Sequence, residues 1–215
     1  VLAAALAAQL AMRTGSGSSA AAVVELPPPP SPQALRLASF GESATLARVA
    51  MLYVQAFDPP RDYLRLIGWL RDILDLDPRS QYPLFVAARV YAEVPDPARA
   101  RLMLDFIHEQ YLLDPDRRWS SLAHAALLAK HRLRDLPLAR RYAADLQRHT
   151  TAADVPLWAK QMEVFILEDM NELEAARIVL GGLLASGTIR DADEERFLRR
   201  KLEELEQRSR QQGFK

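Results

Sequence analysis

The chain has 215 residues, no cysteine, and 28 basic against 28 acidic side chains, for a formal net charge of zero. The missing thiols exclude disulfides, thiolate metal sites and cysteine nucleophiles, and the balanced charge lacks the basic excess that nucleic-acid binding leaves as its footprint. At 49% apolar and 26% charged residues, the composition is that of a folded body. It allows one large domain, or a helical array of about 170 residues with an N-terminal appendage. Ala, Leu and Arg dominate while Ile and Lys are scarce, the bias of a GC-rich bacterial genome.

Residues 1–13 open the chain with an apolar run, Val1 to Met12, closed by Arg13. Twelve residues, all apolar but Gln9, fall short of the about 20 that span a bilayer, but the first residue is Val rather than Met, so the run is expected to be the end of a longer segment. A signal anchor is one reading. A secretory signal is another, with Ala5-Leu6-Ala7 fitting a small-residue cleavage site. An ordinary Ala-rich helix is the third. Residues 14–34 follow as a Gly/Ser-rich stretch, Thr14 to Ser19, and then Pro27-Pro28-Pro29-Pro30-Ser31-Pro32. A flexible piece followed by a polyproline II segment rising about 3.1 Å per residue reads as a stalk. A docking ligand for a proline-recognising domain is the alternative.

Residues 35–212 carry helical periodicity almost throughout. Leu46, Val49, Ala50, Tyr53 and Val54 predict an amphipathic helix that Asp58-Pro59-Pro60 ends. Tyr63 to Leu76 places Leu66, Ile67, Leu70, Ile73 and Leu74 on one face. Tyr82 to Val94 is apolar nearly all round and is expected to be buried, with Pro83 in its first turn. Pro95-Asp96-Pro97 breaks it, and Ala98 to Leu113 follows with Leu102, Phe106 and Ile107 inward. Trp119 to Leu133 pairs with Leu136 to Gln147, and Pro156 to Met170 with Glu172 to Ala185. Ser186-Gly187-Thr188 is a stop signal with Gly at its usual place. A last helix, Asp191 to about Arg210, has a narrow stripe at Phe197, Leu198, Leu202 and Leu205. Glu195–Arg199, Glu204–Arg208 and Glu206–Arg210 pair on its polar face, as a terminal cap requires.

Two stretches organise this pattern. Leu113-Asp114-Pro115-Asp116-Arg117-Arg118-Trp119 repeats Leu76-Asp77-Pro78-Arg79-Ser80-Gln81-Tyr82 at a spacing of 37. In each, proline stops one helix and an aromatic four residues later opens the next. The arginines are expected in water and the aromatic in the core. Leu133-Arg134-Asp135-Leu136-Pro137-Leu138-Ala139-Arg140 slides by the same 37 onto Met170-Asn171-Glu172-Leu173-Glu174-Ala175-Ala176-Arg177, and Ala98-Arg99 repeats the Ala-Arg dipeptide. Four helix pairs and a cap fill 43–210. The array resembles the tetratricopeptide-repeat class, whose units are helix–turn–helix pairs with a small residue early in the second helix and a proline after it. The units here run 37 to 41 residues rather than about 34, and their first helices lack the family's glycine. The resemblance implies an all-α, right-handed α-solenoid that binds other proteins through a concave surface lined by first helices.

No G-x-S-x-G, P-loop, G-x-G-x-x-G or H-E-x-x-H occurs, and neither a catalytic site nor a cofactor is expected. His124 and His131 share a helix face but lie roughly 10 Å apart along the axis, too far to ligate one metal. Glu168-Asp169 with Glu172 and Glu174 reads as a solvated turn. Trp69, Trp119 and Trp158 are expected in the core, with one of them an exposed partner anchor as the alternative. Polar residues on otherwise apolar first helices, namely Arg89, Glu93, His124, His131, Lys160 and Gln161, are the candidate partner contacts. The expected function is a non-enzymatic helical-repeat adaptor, anchored in the inner membrane of a bacterial envelope with the helical domain in the periplasm. The alternative is a permanent accessory subunit of a large membrane complex, held through its N-terminal segment and stalk.

Overall fold

A computed structural model describes residues 25–57, 61–187, 189 and 191–213, and these residues are all-helical, with no strand among them. The apolar segment 1–13, the Gly/Ser-rich stretch and Asp58-Pro59-Pro60 lie outside the described residues. Among the described residues ten α-helices run in order: α1 Pro32–Ala38, α2 Ser43–Gln55, α3 Tyr63–Leu76, α4 Tyr82–Val86, α5 Pro97–Leu113, α6 Pro115–His131, α7 Leu136–His149, α8 Leu157–Asp169, α9 Leu173–Ala185 and α10 Ala192–Gly213. A π-helical turn, Ala87–Tyr91, continues α4.

Helices pack on their chain neighbours and also on the helix two places along: α4 and its π turn on α6, α6 on α8, and α3 on α5. First helices therefore adjoin first helices and second adjoin second. The second helices start alike. Asp62 caps α3 through Leu64 N–H and Arg65 N–H, Asp96 caps α5 through Ala98 N–H and Arg99 N–H, and Asp135 caps α7 through Leu138 N–H. Each carboxylate satisfies amides that the helix itself leaves unpaired. Four residues after each cap, and after Glu172 before α9, stands a fully buried residue: Leu66, Ala100, Ala139 or Ala176. The small residue of α5 is thus Ala100 rather than Ala98, which is exposed. The dipeptide occurs twice in Ala98-Arg99-Ala100-Arg101, and the cap at Asp96 selects the second copy.

The arginines after Ala100 and Ala139 reach the next N-cap residue, while Arg177 after Ala176 pairs with Glu174 on its own helix. Arg101 Nη1 lies 2.9 Å from Asp135, and Arg140 Nη1 lies 3.3 Å from Glu172. Arg134 and Asn171, which precede those acids, both adopt positive φ, 54° and 59°. The 37-residue register is therefore present in backbone geometry as well as in sequence. His108 to Asp145 at 2.7 Å and Tyr142 to Asp105 at 3.0 Å span the same separation between α5 and α7.

Several expected details change. The two Leu-Asp-Pro stretches build different joints. Five residues separate α3 from α4, whereas Asp114 alone separates α5 from α6, because Pro115 occupies the first turn of α6, where its missing N–H costs nothing. Trp119 lies one turn inside that helix. The Tyr82 segment is not buried all round: Phe85 is 56% exposed, and Tyr82 and Val90 are similar. In α2 the buried stripe is Ala47, Ala50, Met51 and Val54, with Val49 and Tyr53 outward, and in α5 Leu102 is outward. Trp69 is buried and Trp119 partly so, but Trp158 is 49% exposed and packs edge-on against Trp119 at 5.6 Å.

The proline run lies along α3. Leu26 is buried, the Trp69 indole N–H donates to Pro27 O at 2.8 Å, and Arg65 donates to Leu26 O at 3.3 Å. Gly68 makes room: a Cβ there would stand 3.0 Å from Pro29 Cγ.

Candidate functional site

The six polar residues singled out from the sequence separate into three groups. Arg89, Glu93 and His124 come together, for His124 Nε2 lies 3.1 Å from Glu93 Oε1 and Arg89 faces the same cleft. Gln161 is buried, and its amide donates to Glu194 at 3.0 Å, so it ties α8 to α10. Lys160 lines a separate depression with Thr151, Pro156 and Glu194. His131 stands exposed in the last turn of α6.

The cleft that holds Arg89 and His124 measures about 230 Å³ and lies between α4 with its π turn and the first half of α6. Leu84, Phe85 and Ala88 form its apolar side, and Gln81, Arg117, Arg118, Ser120 and Ser121 complete it. Arg117, Ser120, Ser121 and His124 recur at three- and four-residue spacing and so project from one face of α6. That spacing is the signal by which the sequence could have shown them beside His124. The π turn shifts the register of Arg89 relative to Phe85, and Ala92 N–H closes it on Ala87 O at 2.8 Å.

Arg118 overturns the expectation that the joint's arginines are solvated. It is 5% exposed, and its guanidinium donates to Gln110 O at 2.7 Å, to Gln110 Oε1 at 3.0 Å and to Pro78 O at 3.2 Å. The second Leu-Asp-Pro stretch is thereby tied to the proline of the first. Its Nε is buried without a hydrogen-bond partner. Burial holds Arg118 below the usual arginine range, and Arg117 beside it acts in the same sense while Asp114 and Asp75 oppose. His124 is likewise held below its usual range, first by burial; the Glu93 hydrogen bond opposes this and the charge of Arg89 adds to it. Arg117 is exposed and pairs with Asp114 at 2.9 Å.

The acidic group at the α8–α9 turn is engaged rather than simply solvated. Glu168, largely buried, receives Lys201 at 2.9 Å and Arg208 at 2.8 Å from α10. Asp169 pairs with Lys130, Glu172 with Arg140, and Glu174 with Arg177. Arg and Lys of three other helices thus consume carboxylates that might have resembled a catalytic cluster. In the same manner Asp116 accepts from Thr151 N–H at 2.6 Å and Ala152 N–H at 2.8 Å. Those bonds, that from Ala152 foremost, hold its carboxyl below the usual range.

Among the described residues no group of three His, Asp or Glu side chains is placed to hold a metal ion, and no helix is long and apolar enough to cross a membrane. Comparison with protein-family models, curated proteins and solved structures finds no match for this chain.

Proposed function

We propose that the chain is a non-enzymatic scaffold built as a right-handed, tetratricopeptide-like α-solenoid, which binds another protein across its first-helix face. The observation that carries this reading is the row of side chains left open on those helices. Tyr82, Phe85 and Val90 on α4 and its π turn, Leu127 on α6, and Trp158 and Phe165 on α8 are exposed, and Phe85 lines a cleft rich in hydrogen-bond donors. Large apolar and aromatic side chains gathered beside polar ones are the composition of a binding surface rather than of an ordinary solvated face. Recurrence of the cap, the buried residue four places on and the arginine that reaches the next cap supports the repeat reading. The N-terminal segment 1–13 tethers the scaffold to a bacterial inner membrane, with the helices in the periplasm.

Pull-down with the intact membrane form, followed by mass spectrometry, tests the proposal. A partner recovered in stoichiometric amount with the unaltered chain, and lost with Trp158→Ala and Phe85→Ser together, is the expected result. A chain that retains no protein, or retains the same set after both substitutions, is not a scaffold working through this face. Fractionation of the tethered form, with protease added to intact spheroplasts, checks the sidedness.

A further inference from the structure

The cleft between the π turn and α6 is lined by three arginines, Arg89, Arg117 and Arg118, and by no carboxylate. Asp114 pairs with Arg117, and Glu93 lies 3.1 Å from His124, both acids standing outside the lining. Arg89 makes no ion pair among the described residues, and Arg118 is buried on neutral acceptors alone, two carbonyls and an amide oxygen. Asp114 and Asp75 act on the Arg118 charge from a distance without hydrogen-bonding it, and low-dielectric walls focus the field of a buried guanidinium into the nearest opening. That opening is the cleft, where Ser120 and Ser121 add hydroxyl donors and no carboxylate lines the wall. Its other side is apolar, with the Phe85 ring exposed and Leu84 beneath it. A volume of about 230 Å³ exceeds what one small anion fills, and a small anion would leave Phe85 idle.

We propose that this cleft takes a carboxylate side chain of an acidic protein segment, with an apolar side chain of the same segment against Phe85. The inference rests on the scaffold reading and names the chemistry of its partner. The carboxylate sits between Arg89, Arg117 and the two serines, where it offsets the buried charge of Arg118. Apolar contact then supplies the affinity that a solvent-screened ion pair lacks. The π turn matters because Arg89, which lies within it, joins Phe85 in the lining of the cleft.

Titration calorimetry on the full chain tests this with blocked peptides that have no free termini. One alternates Glu with Phe, a second replaces Glu by Gln, a third replaces Phe by Ser, and inorganic phosphate is run alone. The Glu/Phe peptide is expected to bind one to one, with affinity that falls as salt rises. The Gln and Ser versions are expected at least tenfold weaker. Arg89→Glu, or Ser120→Glu should the first variant not fold, is expected to weaken the Glu/Phe peptide at least tenfold, while Arg200→Glu on the outer face of α10 leaves it unchanged. Equal binding of the Gln peptide, equal effects of Arg89→Glu and Arg200→Glu, or phosphate binding as tightly as the peptide would each overturn the proposal. Its failure is distinguishable from failure of the scaffold reading. A partner still captured by Arg89→Glu and lost with Trp158→Ala and Phe85→Ser keeps the scaffold and removes only the cleft.

Discussion

Arg118 is the residue on which most of the molecule's asymmetry turns. An arginine following Pro-Asp-Arg in a surface turn would be solvated, yet here Pro115 starts a helix at once, and residue 118 lands on the inward side of its first turn. Its donors reach back to Gln110 on α5 and across to Pro78, joining three chain segments. Removing a buried charged donor leaves its acceptors stranded, which typically costs more than the net worth of the bonds. Arg118→Ala is therefore expected to lower stability by about 3 kcal/mol in chemical denaturation, and Arg118→Met by distinctly less, because Met keeps the volume and buries no charge. Wild-type stability in Arg118→Ala would refute the tie. Gly68 makes a narrower prediction. Its missing Cβ is what lets Pro29 approach α3, so Gly68→Ala should push Pro29 back and loosen the segment 25–30 while helix propensity favours the change elsewhere. Faster proteolytic cleavage at residues 25–31 with an unshifted main unfolding transition is the expected pattern. Gly181, which has open space around it, provides the contrast, since Gly181→Ala should stabilise by up to about 1 kcal/mol.

At the scale of elements, the joints between second helices are held by caps that do two jobs in one place and only one in the next. Asp135 accepts from Leu138 N–H at 2.9 Å and from Arg101, whereas Glu172 receives Arg140 but makes no side-chain cap bond to α9. The arginines are about two-fifths exposed, so either ion pair alone contributes well under 1 kcal/mol. Asp135→Ala is expected to cost about 1–2 kcal/mol, mostly from the lost cap, and Glu172→Ala no more than about 0.5 kcal/mol. Equal losses in the two variants would show that the cap bond is immaterial. Helix pairing, the breaks and the 37-residue register were legible, because each depends on local signals: apolar spacing, proline, and residues tolerant of positive φ such as Asn171. The face of α5 carrying the small residue was misread by two positions, since Ala-Arg occurs twice in succession and only the Asp96 cap decides between them. Asp-x-x-x-Ala-Arg, counted from the cap, would have found it. The cleft was half legible. Arg89, Glu93 and His124 stood out as polar residues on apolar helices. The burial of Arg118 and the exposure of Phe85 depend on where α6 begins and on a π turn, and neither leaves a periodic trace. Gln161 looked like a free contact because its partner, Glu194, lies 33 residues further on.

Across the whole molecule the core divides at α8. Met162 and Ile166 on one side of that helix join a large cluster running back to Leu26, while Val164 and Leu167 on the other belong to a smaller one with Leu173, Ala176, Leu180, Leu183, Leu198 and Leu205. The smaller cluster has no aromatic residue in its buried set, and α10 meets it with a narrow apolar stripe and a largely polar outer face. Because these helices pack mainly on near neighbours along the chain, stability is local, and the end with the smaller core is expected to open first. Leu180 is fully buried in that cluster, and Leu180→Ala removes about 2–5 kcal/mol of packing. All three tryptophans, Trp69, Trp119 and Trp158, precede α9. Loss of α9 and α10 should therefore reduce helical circular dichroism at denaturant concentrations where tryptophan emission is still native. Leu104→Ala, in the large cluster, should instead move both signals together. Coincident transitions in the Leu180→Ala variant would mean that the two clusters unfold as one cooperative unit. Separate transitions would show that α8 is a boundary as well as a shared helix, and that the first-helix face persists when the C-terminal helices are lost.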